Sequence, residues 1–499
     1  LGHMDELRRT QLVNVNPVDF LMLQFLMNLH AVIVWLLGLF FLLFQKEGQR
    51  WRVLGLTFLF TVGILLLLSG KAYFKQQIAR RAVLDVTTLP YHSAFLAYLV
   101  EQRKIGRKII LTTAADSSIA QRIASHLGLF SDVFATNGVD NLAGANKLRQ
   151  ILAYLGSEAF VYAGNAKIDL AIWRSAKSAM VVDGSNRLIR RVSEVTDISQ
   201  VFNEPKNRIR ALIKAIRVHQ WVKNGLIFVP LLAGHYVTDL DRLFSAFLAF
   251  AAFSLCSSST YLLNDLLDLE ADRRHPSKKK RAFASGDLSV KIGLLTIPVF
   301  LFVGLAVSLL LPFSFSLALG IYFILTLSYS FYLKEYVIVD VILLALLYTL
   351  RIIGGGAATG IAISNWLLAF SMFLFLSLAL LKRFAELLQV VRQSKEADKS
   401  RAYFTADIEQ LASMGSASGY MTALVLGLYI NSEDVKALYA HPEYLWLICP
   451  LILYWISRAW LVARRGHMDD DPVVFAIRDK ASYAVGIAAV IIIFFATIG

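Results

Sequence analysis

From residue 217 onward the chain is a succession of apolar runs, most of them about long enough to cross a bilayer, separated by short polar loops. The runs lie near 221–236, 243–265, 290–311, 313–332, 337–357, 365–388, 412–431, 443–462 and 480–498, so the pattern predicts about nine transmembrane helices. With 57% hydrophobic residues over 499 positions, the chain reads as an integral membrane protein. A net charge of +14 could suit nucleic acid. The membrane accounts for it better, because Lys and Arg cluster in alternate loops, and no nucleic-acid partner is expected. Arg273, Arg274, Lys278, Lys279, Lys280, Arg281, Lys334, Arg392, Lys395, Lys399, Arg401, Arg464, Arg465 and Arg478 fall on one side, against little beyond Arg242 and Lys436 on the other. That asymmetry predicts that the loops at 266–289, 389–411 and 463–479 face the cytosol of a bacterial cytoplasmic membrane.

At the cytosolic end of the second run stand Asn264, Asp265, Asp268 and Asp272. The acids are spaced i, i+3 and i+7, with Asn264 four residues before Asp268, so one face of one helix would carry several oxygen ligands. Such a face suits Mg2+ held by a few carboxylates and by substrate phosphates. Lys278 and Arg281 follow in a basic run that could take the rest of a phosphorylated substrate. A solvated helix end, acids then bases, is the plainer alternative.

Arg351 interrupts an apolar run, which predicts either a role facing a cavity or a bridge between helices. Lys382, Arg383 and Glu386 sit near a helix end as an interfacial anchor or a lipid-phosphate clamp. Asp469, Asp470 and Asp471 could touch the site or form a solvated turn. His219, His235 and His275 lack metal-ligand spacing, and Cys256 and Cys449, both within apolar runs, indicate no disulfide. Leu1-Gly2-His3 ahead of Met4 reads as an added leader, and no cleavable signal peptide is expected.

Residues 4–192 read as a separate domain, and from about Ala82 to Val192 the composition is that of a soluble α/β domain. Strands at Lys108–Thr113, Asp132–Ala135, Ala159–Gly164 and Ala179–Asp183 alternate with helices at Ser117–Leu127, Lys147–Leu155 and Leu170–Ala176, the signature of a doubly wound parallel α/β sheet. An apolar hairpin at 29–69 is inserted ahead of that sheet, seated in or across the membrane, and 193–216 reads as a basic linker to the transmembrane domain at 217–499.

The first domain resembles the haloacid dehalogenase (HAD) phosphatase superfamily. Thr113 ends a strand as the second motif's hydroxyl does, Lys147 matches the third motif's lysine, and Gly164-Asn165 with Asp169 is similar to the fourth motif. The best counterpart of the nucleophile motif, Asn14-Val-Asn16, carries amides where that family has carboxylates. An amide can neither capture a phosphoryl group nor exchange protons near neutral pH. The resemblance thus implies a HAD fold without phosphatase activity, with a non-catalytic phosphosugar-binding or regulatory module as the alternative for this domain.

The second domain resembles the UbiA superfamily of intramembrane transferases, whose Asn-Asp-x-x-Asp-x-x-x-Asp hallmark is matched by Asn264, Asp265, Asp268 and Asp272. Within it, Arg217-Val-His-Gln220-Trp-Val-Lys223-Asn224, Arg351-Ile-Ile-Gly354-Gly355-Gly356, Lys382-Arg383-Phe-Ala-Glu386 and Asp470-Asp471-Pro472 are similar to the decaprenyl-phosphate phosphoribosyltransferase branch. This implies transfer of 5-phosphoribosyl from its diphosphate (PRPP) to a polyprenyl phosphate, with Asp265, Asp268, Asn264 and Asp272 at magnesium. Lys278 and Arg281 would then hold donor phosphates, with Gln220, Lys223 and Asn224 closing the site. Relatives that prenylate aromatic acceptors carry a second Asp-x-x-x-Asp cluster. Here Asp340 is preceded four positions earlier by Tyr336, and Lys334 adds positive charge, which leans toward PRPP. An isoprenyl transferase acting on an aromatic acceptor is the alternative. The sequence does not specify the oligomeric state.

Overall fold

The computed structural model describes residues 76, 79–80, 84–137, 140–204, 207–392, 403–468 and 472–498. The apolar hairpin at 29–69, Asn14 and Asn16, and the acids Asp469 to Asp471 lie outside the described residues. The chain divides into two compact units, Leu1–Pro205 and Lys206–Gly499.

In the first unit helices and strands alternate: α1 (Ser93–Lys104), β1 (Ile110–Asp116), α2 (Ser117–Leu127), β2 (Asp132–Thr136), α3 (Ala145–Leu155), β3 (Val161–Gly164), α4 (Leu170–Ser175), β4 (Ser178–Val182), α5 (Asn186–Ser193) and β5 (Ile198–Phe202). Each strand pairing is parallel, as the alternation predicts. Among the described residues the strands form two sheets, β1–β2 and β3–β4–β5, rather than one. β4 is apolar on both faces because it is central, with Ala179 and Val181 fully buried against Ile172, Trp173 and Val192. The Asp116 carboxylate accepts from the Ser118 N–H at 3.0 Å and starts α2, and Gly128, with φ of 64°, ends it.

The stretch 193–216, expected as a linker, contains the division between the units at Pro205 and Lys206 and carries regular structure on either side of it. Its first half is strand β5, paired with β4, and its second half is α6 (Arg208–Ala215), whose Ala211 and Ala215 are buried against Leu262 and Phe283 of the second unit. Charge on the exposed face of α6 masked its short apolar stripe.

The second unit continues with a 3-10 helix (Val218–Phe228), α7 (Val229–Ala233), α8 (Leu240–Leu267), α9 (Leu269–Arg274), α10 (Val290–Ser308), α11 (Phe313–Phe331), α12 (Val339–Thr359), α13 (Asn365–Arg392), α14 (Ile408–Ile430), α15 (Glu433–Leu438), α16 (Ile448–Arg464), α17 (Pro472–Arg478) and α18 (Lys480–Thr497). Eight helices among the described residues are long and apolar enough to cross a membrane. They correspond to the last eight predicted runs. The first run, expected as a helix over 221–236, is instead the 3-10 helix followed by the five residues of α7. At about 2.0 Å per residue, the 3-10 stretch reaches as deep as a much longer α-helix.

Three-residue periodicity places Trp221, Asn224 and Ile227 on one face of that stretch, and all three meet the helix bundle. The Trp221 indole donates to Ser258 Oγ at 2.9 Å, Asn224 Nδ2 donates to Ser254 Oγ at 3.0 Å, and Ile227 is fully buried. Close approach depends on glycine: a Cβ on Gly355 of α12 would lie 2.1 Å from the Ile227 carbonyl oxygen. Between membrane helices, where lipid is as apolar as leucine, such small-residue contacts and buried hydrogen bonds do the holding.

Candidate active site

The acidic stretch lies where α8 ends. The helix stops at Leu267, and Asp268, with φ of −88° and ψ of 7°, separates it from α9. The single helix face expected for Asp265, Asp268 and Asp272 is therefore broken at its middle acid. Asp265 is 4% exposed at the end of α8 and Asp272 2% exposed on α9, while Asp268 is exposed at the junction.

What brings the two buried acids together is a guanidinium. Arg281 Nη1 donates to Asp265 Oδ1 at 3.1 Å and to Asp272 Oδ2 at 2.7 Å. Arg217 Nη2 donates to the same Asp265 Oδ1 at 2.6 Å, and its guanidinium packs 4.9 Å from the centre of the Tyr261 ring. Arg217 holds a left-handed backbone conformation, φ 53° and ψ 50°, at the entry to the 3-10 helix. For a non-glycine residue that costs on the order of 1 kcal/mol, and such strain concentrates at working sites. Burial pushes the Asp272 carboxyl above its ordinary range, against the opposing pull of Arg281. Arg273 Nε is buried without a hydrogen-bond partner beside it.

The other predicted ligands have their own partners, Asn224 among them, which bonds Ser254 and Arg351. Asn264 Nδ2 donates to Ser330 Oγ at 3.0 Å. Lys278, half-buried, opens the 3-10 turn Lys278–Lys280 that leads to Arg281. Gln220 and Lys223 lie three residues apart on the 3-10 helix, Arg217 stands three residues before Gln220 as its N-cap, and Lys223 Nζ stands 5.8 Å from the centre of the Tyr348 ring. Sequence reading singled out Gln220 and Lys223 but not Arg217 as a ligand. The signal was present in the spacing of three that joins these residues, which is a 3-10 period rather than an α period.

Asp340, Arg383 and Arg351 go elsewhere. Arg383 Nε donates to Asp340 Oδ2 at 2.6 Å, Nη1 to Glu386 at 2.6 Å and Nη2 to Tyr329 Oη at 2.7 Å. Tyr403 Oη donates to Asp340 Oδ1 at 2.5 Å and accepts from the Ile338 N–H at 2.9 Å, fastening a β-branched residue held at φ 68°. Arg383, 1% exposed, thus has its guanidinium engaged by a carboxylate or hydroxyl from each of three positions within the bundle. Arg351, 5% exposed, bridges helices rather than facing a cavity. It donates from Nε to Asn224 Oδ1 at 2.8 Å and from Nη2 to Tyr322 Oη at 3.0 Å, with its plane against Tyr322 and Tyr348. Lys334 lies in the half-buried turn Leu333–Glu335, Tyr336 is 42% exposed, and Lys382 is half-buried on α13.

No three acids, histidines or cysteines among the described residues are grouped as a metal cage. Magnesium needs no such cage, since one or two carboxylates plus substrate phosphates satisfy it. Two buried carboxylates already converging on one cation fit that requirement.

In the first unit, Lys147 Nζ donates to Asp169 Oδ1 at 3.2 Å and to Tyr162 Oη at 3.1 Å, all three side chains being buried. Burial lowers the Lys147 ammonium, but Tyr162 and Asp169 outweigh it and the net direction is up. Thr113 Oγ1 accepts from the Ala115 N–H, and Asn165 is exposed. Lys147 and Asp169, predicted as members of one site, are therefore brought together.

The UbiA prenyltransferase family matches residues 226–483. An uncharacterized protein of Sinorhizobium fredii is 37% identical over 421 residues, covering 84% of this chain and 81% of its own length. That alignment is longer than the second unit and so extends into the first. Nodulation protein NoeC of Azorhizobium caulinodans is 35% identical over 269 residues, covering 54% of this chain and 87% of its own. Decaprenyl-phosphate phosphoribosyltransferase of Mycobacterium tuberculosis is 30% identical over 293 residues, 58% of this chain and 94% of its own. With its acids at the end of α8 and its bundle of membrane-length helices, the chain belongs to the UbiA prenyltransferase family.

Proposed function

We propose that the second unit transfers a 5-phosphoribosyl group from PRPP to a polyprenyl phosphate. A lipid phosphate oxygen forms a bond to C1 of the ribose, the bond from C1 to the diphosphate breaks, and its electron pair leaves with pyrophosphate. The nucleophile is already an anion at neutral pH, so no general base is required. Asn264, Asp265 and Asp268, with Asp272 in support, would hold magnesium, which supplies neutralisation of the charge that gathers on the departing diphosphate. Arg281, Arg217 and Lys278 hold donor phosphates, and Gln220 and Lys223 border the donor from the 3-10 helix.

One observation carries the choice of donor. Asp340, where prenylating relatives are expected to build a second metal cluster, is 0% exposed and bonded to Arg383 and Tyr403. With Tyr336 where the cluster's other acid would stand, four positions earlier, Asp340 lacks the second carboxylate of such a cluster, which supports the phosphoribosyl donor. The similarity to phosphoribosyltransferases supports the same choice. The deciding experiment supplies purified protein with magnesium, polyprenyl phosphate and either PRPP or an isoprenyl diphosphate. Pyrophosphate release with PRPP is expected; release only with the isoprenyl donor and an aromatic acceptor would overturn the reading.

The active site and the first unit face the cytosol of a bacterial cytoplasmic membrane, as the basic loops favour. The first unit is a HAD-like domain without turnover, a reading supported by its parallel strands and by the Lys147–Asp169 pair. Phosphomonoester hydrolysis by the full chain that depends on magnesium and is lost in Asn14→Ala would sink that part.

A further inference from the structure

The centre around Asp265 is closed to each ligand by the groups that would hold the other. Both guanidiniums, Arg217 and Arg281, rest on Asp265 Oδ1, and Arg281 also spans to Asp272. A divalent cation arriving alone meets two fixed positive charges at the oxygen it needs. A diphosphate arriving alone finds the same two guanidiniums already committed to carboxylates, with exposed Asp268 repelling it besides. Arrival of both removes both obstacles: the carboxylates turn to the metal and the guanidiniums to phosphate oxygens, so no buried charge is left unpaired.

Resting on the transferase reading above, we infer that Arg217 and Arg281 are exchange partners, which release Asp265 and Asp272 to magnesium only as they engage a diphosphate. Metal and diphosphate therefore bind with positive coupling, and the coupling is reciprocal. The assignment makes Arg217 a donor-binding residue, and its strained backbone sits at the point where the guanidinium changes partner. Asp268 takes no part in either ion pair and is the acid free to meet the metal first.

The test uses one ligand at a time, so that complexes formed in solution do not intrude. Mn2+ binding to the full-length protein in detergent, without diphosphate, is followed by electron paramagnetic resonance for wild type, Arg281→Gln and Arg217→Gln. Inorganic pyrophosphate binding in the presence of a chelator is measured for wild type and Asp265→Asn. Removing a guanidinium should tighten Mn2+ binding on the order of tenfold, and removing the carboxylate charge should tighten pyrophosphate binding by a similar factor. Two arginine variants guard against one failing to fold. Unchanged or weakened binding in folded variants overturns the exchange. Turnover of PRPP with neither shift sinks the exchange alone, whereas both shifts without turnover of PRPP sink the donor reading and leave the exchange standing.

Discussion

Arg383 Nε and Asp340 Oδ2, on neighbouring helices α13 and α12, lie 2.6 Å apart with 2% and 0% of their side chains exposed. Removing one partner strands the other charge inside the bundle. Arg383→Leu should lower stability by roughly 3–5 kcal/mol, while Arg383→Leu with Asp340→Leu recovers much of the loss. Thermal unfolding in detergent checks this; a single variant as stable as wild type but defective in lipid-phosphate binding would restore the clamp.

Asp268 is exposed and takes no part in the ion pairs of the site, so its role shows in chemistry rather than folding. Asp268→Asn should leave the unfolding temperature within error and lower pyrophosphate release by about a hundredfold or more. Activity near wild type would remove Asp268 from the metal site.

Gly355→Ala places a methyl 2.1 Å from the Ile227 carbonyl oxygen, which belongs to backbone and cannot rotate away. The 3-10 helix must shift, at a cost of about 1–3 kcal/mol. Because that helix carries Arg217, Gln220 and Lys223, the KM for PRPP should rise together with the loss of stability. A variant with unchanged KM would uncouple the glycine contact from the site.

Burial raises the Asp272 carboxyl above its ordinary 3.8 despite Arg281. Below 3.8 the group is protonated whether folded or unfolded and costs nothing. Between 3.8 and the raised folded value the native state holds more proton than the unfolded chain, so stability falls as pH rises through that window. In metal-free protein, Asp272→Asn should remove this part of the slope. Equal slopes in both proteins would show that Asp272 titrates normally.

In the first unit, Lys147→Met leaves Asp169 buried without its cation and should cost roughly 3–5 kcal/mol, with Asp169→Asn costing less because the amide keeps a hydrogen bond. Denaturant unfolding of the full chain, following the first unit's Trp173, reads both. A smaller loss in Lys147→Met than in Asp169→Asn would reverse the assignment.

Much of this architecture is legible in the sequence, because hydrophobic length fixes membrane helices and alternation fixes parallel α/β order. The last eight apolar runs and the alternation from Ser117 to Val182 needed nothing more. Asn264 to Asp272 announced the site by composition, but its shape depended on one backbone break at Asp268 that no periodicity records. Arg217 and Arg281 were visible as charges, yet their shared grip on Asp265 spans 48 and 16 residues of chain. Arg383 looked like an interfacial anchor because Asp340 and Tyr329, which meet its guanidinium, stand 43 and 54 residues away in the chain. The 3-10 helix was misread because α-helix was the only helical period applied to it.

That period has a consequence for how the chain can vary. With three residues per turn, Val218 to Phe228 stacks its side chains in vertical columns, one of docking residues and one of ligands, separated by a single step in sequence. Inserting one residue ahead of Lys223 would turn Lys223 into the column that docks on the bundle, and deleting one would turn Asn224 out of it. An α-helix spreads such an error around its circumference; here each step moves a residue by a whole column, so the length of the segment matters as much as its side chains.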